Sequence, residues 1–501
     1  GAVKGGMGLW AVVWIALSWT TLADTASTPV TPVPTGAGSV AGFRRLPGSE
    51  TGLQFTNSLS AAISLTNTIV NNGSGVALGD VDGDGWCDVY FCRLEGPNVL
   101  FRNLGGWRFE DITASAGVAC DGQWSTGAVL ADVDGDGDLD LLVTGIGVGT
   151  RLFLNNGRGR FVESMNSGLD RTSGATSMAL ADMDGDGDLD LYVANYRADT
   201  ILDLPRVRFG ITRSNGVPVV SQVEGRPVEG SAWAGRFVVG PRGQVREAGE
   251  ADRLYRNLGG GRFEWVPFPQ AFADESGAPA APPLDWGLSV LFRDFNGDGL
   301  PDLYVCNDTE SPDRLWLNDG AGRFRAAPPL ALRRTSLSSM GVDVADVNRD
   351  GVDDFFVLDM HPRGHRPRMT QREKGLPFLL PVGSDSDRMQ VPWNTLFLGR
   401  GDGTFTEVGR MHGVHGSDWS WSALFLDVDL DGYEDLLISN GFHRDVLDAD
   451  AAAAIQRIKS SRRLSAAEEL QLRALFPEWP TANVAYRNVG GEGFEEVGGV
   501  W

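Results

Sequence analysis

"DVDGDGDLDLLVTG", Asp132 to Gly145, sets five aspartates in its first nine residues and then runs straight into an apolar, β-prone stretch. Left unscreened, those carboxylates repel one another, so the pattern calls for a cation among them. The spacing D-x-[DN]-x-D-G-x-x-D recurs six times, starting at Asp80, Asp132, Asp182, Asp294, Asp346 and Asp427. Positions one, three and five present side-chain oxygens to one side of a tight loop, position seven offers a backbone carbonyl, and position nine adds another carboxylate. That is the oxygen-only, high-coordination environment of a hard cation such as Ca²⁺.

The candidate ligands are Asp80, Asp82, Asp84, Trp86 and Asp88 in the first loop, and Asp132, Asp134, Asp136, Asp138 and Asp140 in the second. The third loop supplies Asp182, Asp184, Asp186, Asp188 and Asp190; the fourth supplies Asp294, Asn296, Asp298, Leu300 and Asp302. The fifth has Asp346, Asn348, Asp350, Val352 and Asp354, and the sixth Asp427, Asp429, Asp431, Tyr433 and Asp435. Trp86, Leu300, Val352 and Tyr433 enter only through their carbonyls. Asn296 and Asn348 lower the charge of their loops and with it the expected affinity. Position six is glycine in all six copies, whereas position four is Arg349 and Leu430 in two, so left-handed backbone is expected at position six. The competing reading is a set of metal-free Asp-Gly hairpin turns, but a turn does not require four acidic positions.

An EF-hand begins alike, yet needs a glutamate at position twelve and flanking helices. Position twelve here is Phe91, Val143, Val193, Val305, Val357 or Ile438, so each loop joins two strands. A second signature follows in each unit ("NVLFRNLGGWRFED", "DRLYRNLGGGRFEW", "NTLFLGRGDGTFTE") and reads as strand, glycine-rich turn, strand. Each unit therefore holds four short antiparallel strands. The residue five places before each loop is small (Gly75, Gly127, Ser177, Ser289, Gly341, Ser422), as suits innermost strands crowding a central channel. Six four-stranded units predict an all-β fold, a β-propeller.

The calcium loops resemble the FG-GAP and VCBS repeats of integrin-like propellers. "SSMGVDVADVNRDGVDDFFVLDM" and "SNGFHRDV" are more narrowly similar to bacterial relatives of the cartilage acidic protein (ASPIC/UnbV) family. The resemblance spans about residues 52–501. It implies a secreted, seven-bladed, calcium-binding propeller with a binding or adhesive role, and ligands at positions one, three, five and nine of each loop.

The formal charge of −23 comes largely from the loops, and so acidic a chain argues against nucleic acid as partner. Lys4 precedes an apolar run over 5–23, and Thr21 and Ala23 suit signal-peptidase cleavage before Asp24. Residues 1–23 thus read as a signal peptide, with a retained membrane anchor as the alternative; either way the propeller is exported, to the periplasm, the cell surface or beyond. Residues 24–50 read as a Pro/Thr/Ser-rich linker, and 51–501 as the propeller, expected as a monomer. Four cysteines show no metal spacing, although Cys92 and Cys120 are placed to bridge in an oxidising compartment. Insertions at 197–251 (short strands), 361–391 (with the basic run "HPRGHRPRMTQREK") and 445–476 (helical) all fall between second and third strands. They are expected to decorate the end opposite the calcium loops, where functional loops gather.

Two function classes remain. The first is a non-catalytic scaffold holding a protein or glycan. Trp124, Trp286 and Trp419, eight places before their loops, are then a sugar-stacking platform or simply packing between blades. The basic run is a site for an anionic glycan or a solvated loop. The second class is a polysaccharide lyase or hydrolase, for which His361 with His365 and His412 with His415 are the candidate bases, though no recognised catalytic motif links them. At the chain ends, "GLQFTN" (52–57) reads as an outermost strand and "EGFEEVGGVW" stops where another first strand is due. Six blades in seven-fold spacing are expected, with the remaining strands beyond residue 501.

Overall fold

Six sheets of the expected kind form. Each begins with a first strand, crosses an aspartate loop, returns along a second strand opened by a fully buried aspartate, and closes with the glycine-turn hairpin. The structure, a computed structural model, describes residues 42–204, 207–240, 243–309, 311–371 and 389–498. The first sheet holds strands Val76–Gly79, Asp88–Phe91, Val99–Asn103 and Phe109–Asp111 in that order, all antiparallel. The same order holds from Ser125–Ala131 to Phe161–Glu163, from Ala175–Ala181 to Phe263–Val266, from Val342–Ala345 to Phe405–Glu407, and from Ser420–Leu426 to Phe494–Glu496. The fourth sheet, Gly287–Arg293 to Phe324–Ala326, gains a short parallel fifth strand, Phe272–Ala273.

The core lies between the faces of successive sheets. One layer joins the first and second sheets through Tyr90, Leu100, Leu141 and Phe153, and another joins the fifth and sixth through Phe356, Leu396, Leu436 and Tyr486. The fourth and fifth meet through an aromatic group in which Phe355 lies 5.3 Å from Phe295, 4.5 Å from Phe397 and 5.0 Å from Phe405. All six small residues before the loops line one cavity of about 390 Å³, as expected of innermost strands around a channel. A Cβ on Gly75 would come within 3.0 Å of the Gly127 Cα, and one on Gly341 within 2.7 Å of the Trp421 carbonyl. Larger residues would push neighbouring strands apart.

Between the sixth and first sheets the described residues enclose a cavity of about 380 Å³ lined by Leu59, Val70, Leu94, Phe442 and Trp479. On the first strands of these two sheets, Leu78 is 62% exposed and Leu424 51%. Gly52–Asn57, read as an outermost strand and expected to be poorly paired, forms no strand. This stretch lies on the first sheet, with Phe55 stacked on Phe91 at 4.5 Å and Asn57 accepting from the Leu94 amide. It follows a short helix, Gly48–Thr51, so the linker ends earlier than residue 50. The compact unit starts at Gly42. The expected signal segment and most of the linker lie outside the described residues, as do 372–388 of the second insertion.

The first insertion carries two small antiparallel sheets, Phe209–Ser214 with Val217–Val223 and Arg226–Pro227, and Phe237–Val239 with Val245–Glu247. The second holds a helix, His365–Thr370, and Met389–Val391 paired in parallel with Arg334–Ser336. The third is helical, Ala449–Ser461 capped by Asp448, then Ala466–Gln471 opened by a Ser465/Glu468 capping box. Gln371 Nε2 donates to Asp445, joining the second and third insertions. Among the described residues no helix is long and apolar enough to cross a membrane.

Candidate functional site

Each aspartate loop links a first strand to a second, and its internal bonds repeat from copy to copy. The position-one carboxylate accepts amide hydrogens across the loop: Asp182 takes those of Gly185, Asp186 and Gly187 at 2.8, 3.1 and 3.0 Å. Position six is left-handed in every copy, with φ of 84° to 96°. Position four is left-handed too, even at Arg349 (φ 60°) and Leu430 (φ 59°). The expectation that position six alone needs positive φ is therefore corrected. Folding back onto position one requires both turns, and two copies accept the steric cost of a Cβ at the first.

The position-nine aspartate opens the second strand and is fully buried in all six copies. Its two oxygens accept from position two and from the third strand. Asp140 takes the amides of Val133 (3.1 Å) and Asn155 (2.8 Å), and Asp302 those of Phe295 and Asn318. Burial nevertheless raises these carboxyls, Asp140 and Asp190 to about 6 and Asp302 and Asp354 to about 7. A nearby cation would offset that penalty.

A cation fits on two further counts. The Oδ1 atoms of Asp82, Asp184 and Asp429, all at position three, are buried without a hydrogen-bond partner. In four loops, three carboxylates each offer an oxygen within 4.8 Å of the others: Asp80/Asp82/Asp88, Asp132/Asp134/Asp136, Asp182/Asp184/Asp190 and Asp427/Asp429/Asp435. The fourth and fifth loops do not converge in this way. There Asn296 donates to Asp298 at 2.9 Å and Asn348 to Asp350 at 3.0 Å, so the amide bridges what two carboxylates would repel across.

Two sets of residues around the loops escaped the sequence reading. In the third strand, Asn155, Asn257, Asn318 and Asn488 each donate to the position-two carbonyl of the preceding sheet's loop (Val81, Val133, Met183 and Val347) at 2.8–2.9 Å. Gly399 takes this place in the fifth sheet. The residue before the asparagine is Arg102, Arg256 or Arg487 in three units, and each guanidinium pairs with a position-three aspartate: Asp82 (2.5 Å), Asp184 (3.1 Å) and Asp429 (3.1 Å). The other three units carry Leu154, Leu317 and Leu398 there. Position three is thus neutralised by an arginine in three loops and replaced by asparagine in two. Only the Asp134 loop keeps the full charge. The signal was legible as "RN" in the hairpin signature, but nothing in it names a partner dozens of residues away.

At the opposite end, the tryptophans pack. Trp419 is 5% exposed and stacks on Phe442 at 3.9 Å, Trp286 meets Tyr196 at 4.6 Å, and Trp124 packs against the cluster of Ile69, Val70 and Ile146. The histidine pairs expected from sequence neighbours do not form. Instead His361 and His415 come together, ring centres 5.7 Å apart, while His365 is exposed on its helix and His412 is buried elsewhere. Burial, with Arg368 and His415 nearby, lowers His361 to about 4, so its ring is neutral at pH 7. All four cysteines are free thiols, so the Cys92–Cys120 bridge is absent; Cys120 instead contacts the Tyr90 hydroxyl at 3.6 Å.

A protein-family profile for the FG-GAP-like repeat matches residues 80–143, 132–193, 294–357 and 382–438. The chain thus carries FG-GAP-like repeats. Cartilage acidic protein 1 of Mus musculus is 40% identical over 60 residues, 12% of this chain and 9% of that protein, so the match spans less than a tenth of that relative's length. Among solved structures, an Agrocybe aegerita lectin described as recognising non-reducing terminal N-acetylglucosamine aligns over 83% of this chain and 77% of its own, with 16% identity and a TM-score of 0.41. The V. cholerae biofilm matrix protein Bap1 aligns over 74% and 66%, with 12% identity and a TM-score of 0.28.

Proposed function

We propose that the chain is an exported, calcium-binding β-propeller serving as a non-catalytic scaffold, which holds a protein or glycan on its insertion-bearing end. The observation that carries this reading is the division of labour between the two ends of the sheets. One end repeats a single acidic cage, tied by hydrogen bonds into the sheets. The other carries three unlike insertions, the second and third of them joined through Gln371 and Asp445. Calcium would be structural, since the cages sit in strand connections with no helix pair to open or close. The Asp134 loop would bind most tightly and the Asn296 and Asn348 loops least. If a site binds ten- to a hundredfold below ambient calcium, linkage gives roughly 1.4–2.7 kcal/mol.

Elemental analysis should find calcium, and chelator should lower the melting temperature and weaken capture on a glycan array or in protein pull-downs. An unchanged melt with no metal present would overturn the calcium reading. Asp134→Ala and Asp186→Ala should destabilise the fold while leaving binding at the opposite end intact. A second reading, a polysaccharide lyase, draws support from His361, a neutral imidazole beside His415 and Arg368, the pairing of base and charge-neutraliser that β-elimination requires. Unsaturated products absorbing at about 235 nm, formed from acidic polysaccharides, would establish it over the scaffold.

A further inference from the structure

The second and third insertions close a cavity of about 590 Å³ against the fifth sheet, a size that takes a mono- or disaccharide. Its wall contains Arg368 on the helix of the second insertion and Arg410 from the loop before the sixth sheet. Neither has a carboxylate within ion-pair distance among the described residues, in contrast with neighbouring Arg363, which pairs with Asp418 at 2.8 Å and with Glu496. Arg410 is held by stacking on Trp393, 3.7 Å from the ring centre, and Arg368 by donating to the Pro362 carbonyl at 2.6 Å. Both leave guanidinium hydrogens unspent.

The one acid among the described residues of the wall, Asp359, is already saturated. It accepts from the Ser336 hydroxyl (2.5 Å) and from the amides of Leu337, Ser338 and Met360. The orphaned groups are of both kinds. Ser338, 1% exposed, has an Oγ with no partner. His415 Nδ1 and Gln371 Oε1 are likewise buried and unpaired. A bare inorganic anion would satisfy the donors and leave Gln371 without one. A polyhydroxylated carboxylate satisfies both, with its acid group on the arginines and its hydroxyls on Ser338, His415 and Gln371.

We infer that this cavity is a binding site for a uronic acid residue of an acidic polysaccharide. The assignment rests on the scaffold reading above and gives it a ligand class. Its test is calorimetric titration of the calcium-loaded full chain with di-galacturonate and di-glucuronate, against the neutral disaccharides of the same linkage and against sodium sulfate. The uronides should bind at least tenfold more tightly than either control. Arg368→Ala and Arg410→Ala should each cost a further tenfold or more at unchanged melting temperature, and Arg368→Lys should retain part of the binding. Should Arg410→Ala lower the melt, Arg368→Ala decides alone, since its side chain is exposed. Equal binding of neutral sugars or of sulfate, or uronide binding untouched by Arg368→Ala, would overturn the assignment. Array binding of other glycans or proteins that survives both arginine variants would leave the scaffold standing and remove only this site. Silence across the array would remove both.

Discussion

Asn257→Ala tests whether the sheets are joined through their aspartate loops. The side chain is 1% exposed; its Nδ2 donates to Val133 (2.9 Å) in the preceding sheet's loop and to Leu189 (3.1 Å) in its own, and its Oδ1 accepts from Gly259 (3.0 Å). Truncation removes three bonds and strands two carbonyls. At about 1 kcal/mol net per bond and more for a buried acceptor left unpaired, the expected loss is roughly 2–4 kcal/mol. Asn103 is the internal control. It makes the same two local bonds, to Cys87 and from Gly105, but reaches no preceding loop, so Asn103→Ala should cost nearer 1–2 kcal/mol. Equilibrium urea unfolding in saturating calcium would read the difference as a shift in midpoint. Equal shifts for the two variants would mean that the bond between sheets has no energetic weight.

Three further outcomes follow from residues already placed. Arg256→Leu should raise calcium affinity at the third loop several-fold, because it removes a positive charge from beside Asp184, and Leu154→Arg should lower it at the second; calorimetric titration reads both, and opposite signs would refute the electrostatic account. Leu430→Gly should stabilise the chain by about 0.5–1 kcal/mol in thermal melts by relieving left-handed strain at an exposed position, and destabilisation would show the leucine to be needed there. Burial raises Asp252 and Asp313 to about 7, so the folded state binds their protons more tightly than the unfolded state, and their contribution is present at low pH and lost as pH rises from about 4 to 7. Asp252→Asn and Asp313→Asn should flatten that decline, as Asn98 and Asn394 accept the equivalent amide in other sheets without a charge; an unaltered pH profile would refute it.

Much of the fold was legible because it is written locally. Loop spacing, strand periodicity and the small residue before each loop all act within about twenty positions, and the repeats state them six times over. What stayed hidden is what acts at a distance or through backbone shape. Position four showed Arg349 and Leu430, which sequence logic takes as proof that no left-handed turn is needed; the closure onto position one overrides that preference. The asparagine bonds cross 74 to 141 residues. His361 and His415 meet only because a loop from the end of one sheet folds over the insertion of the same sheet, so pairing by proximity in sequence chose the wrong partners. Cys92 and Cys120 share a core layer, yet stay reduced among Tyr90 and its neighbours.

The aromatic layer between the fourth and fifth sheets stands where the asparagine bond between those two sheets is missing. The second, third, fourth and sixth sheets each grip their predecessor through a carbonyl of its aspartate loop as well as through apolar packing. Phe295, Phe355, Phe397 and Phe405 need no such carbonyl. If the loops hold calcium as proposed, its removal would act unevenly along the array. The four seams with a polar clasp would feel the change through it, whereas the seam of the fourth and fifth sheets would feel it through Phe295, which belongs to the fourth aspartate loop and carries the aromatic layer.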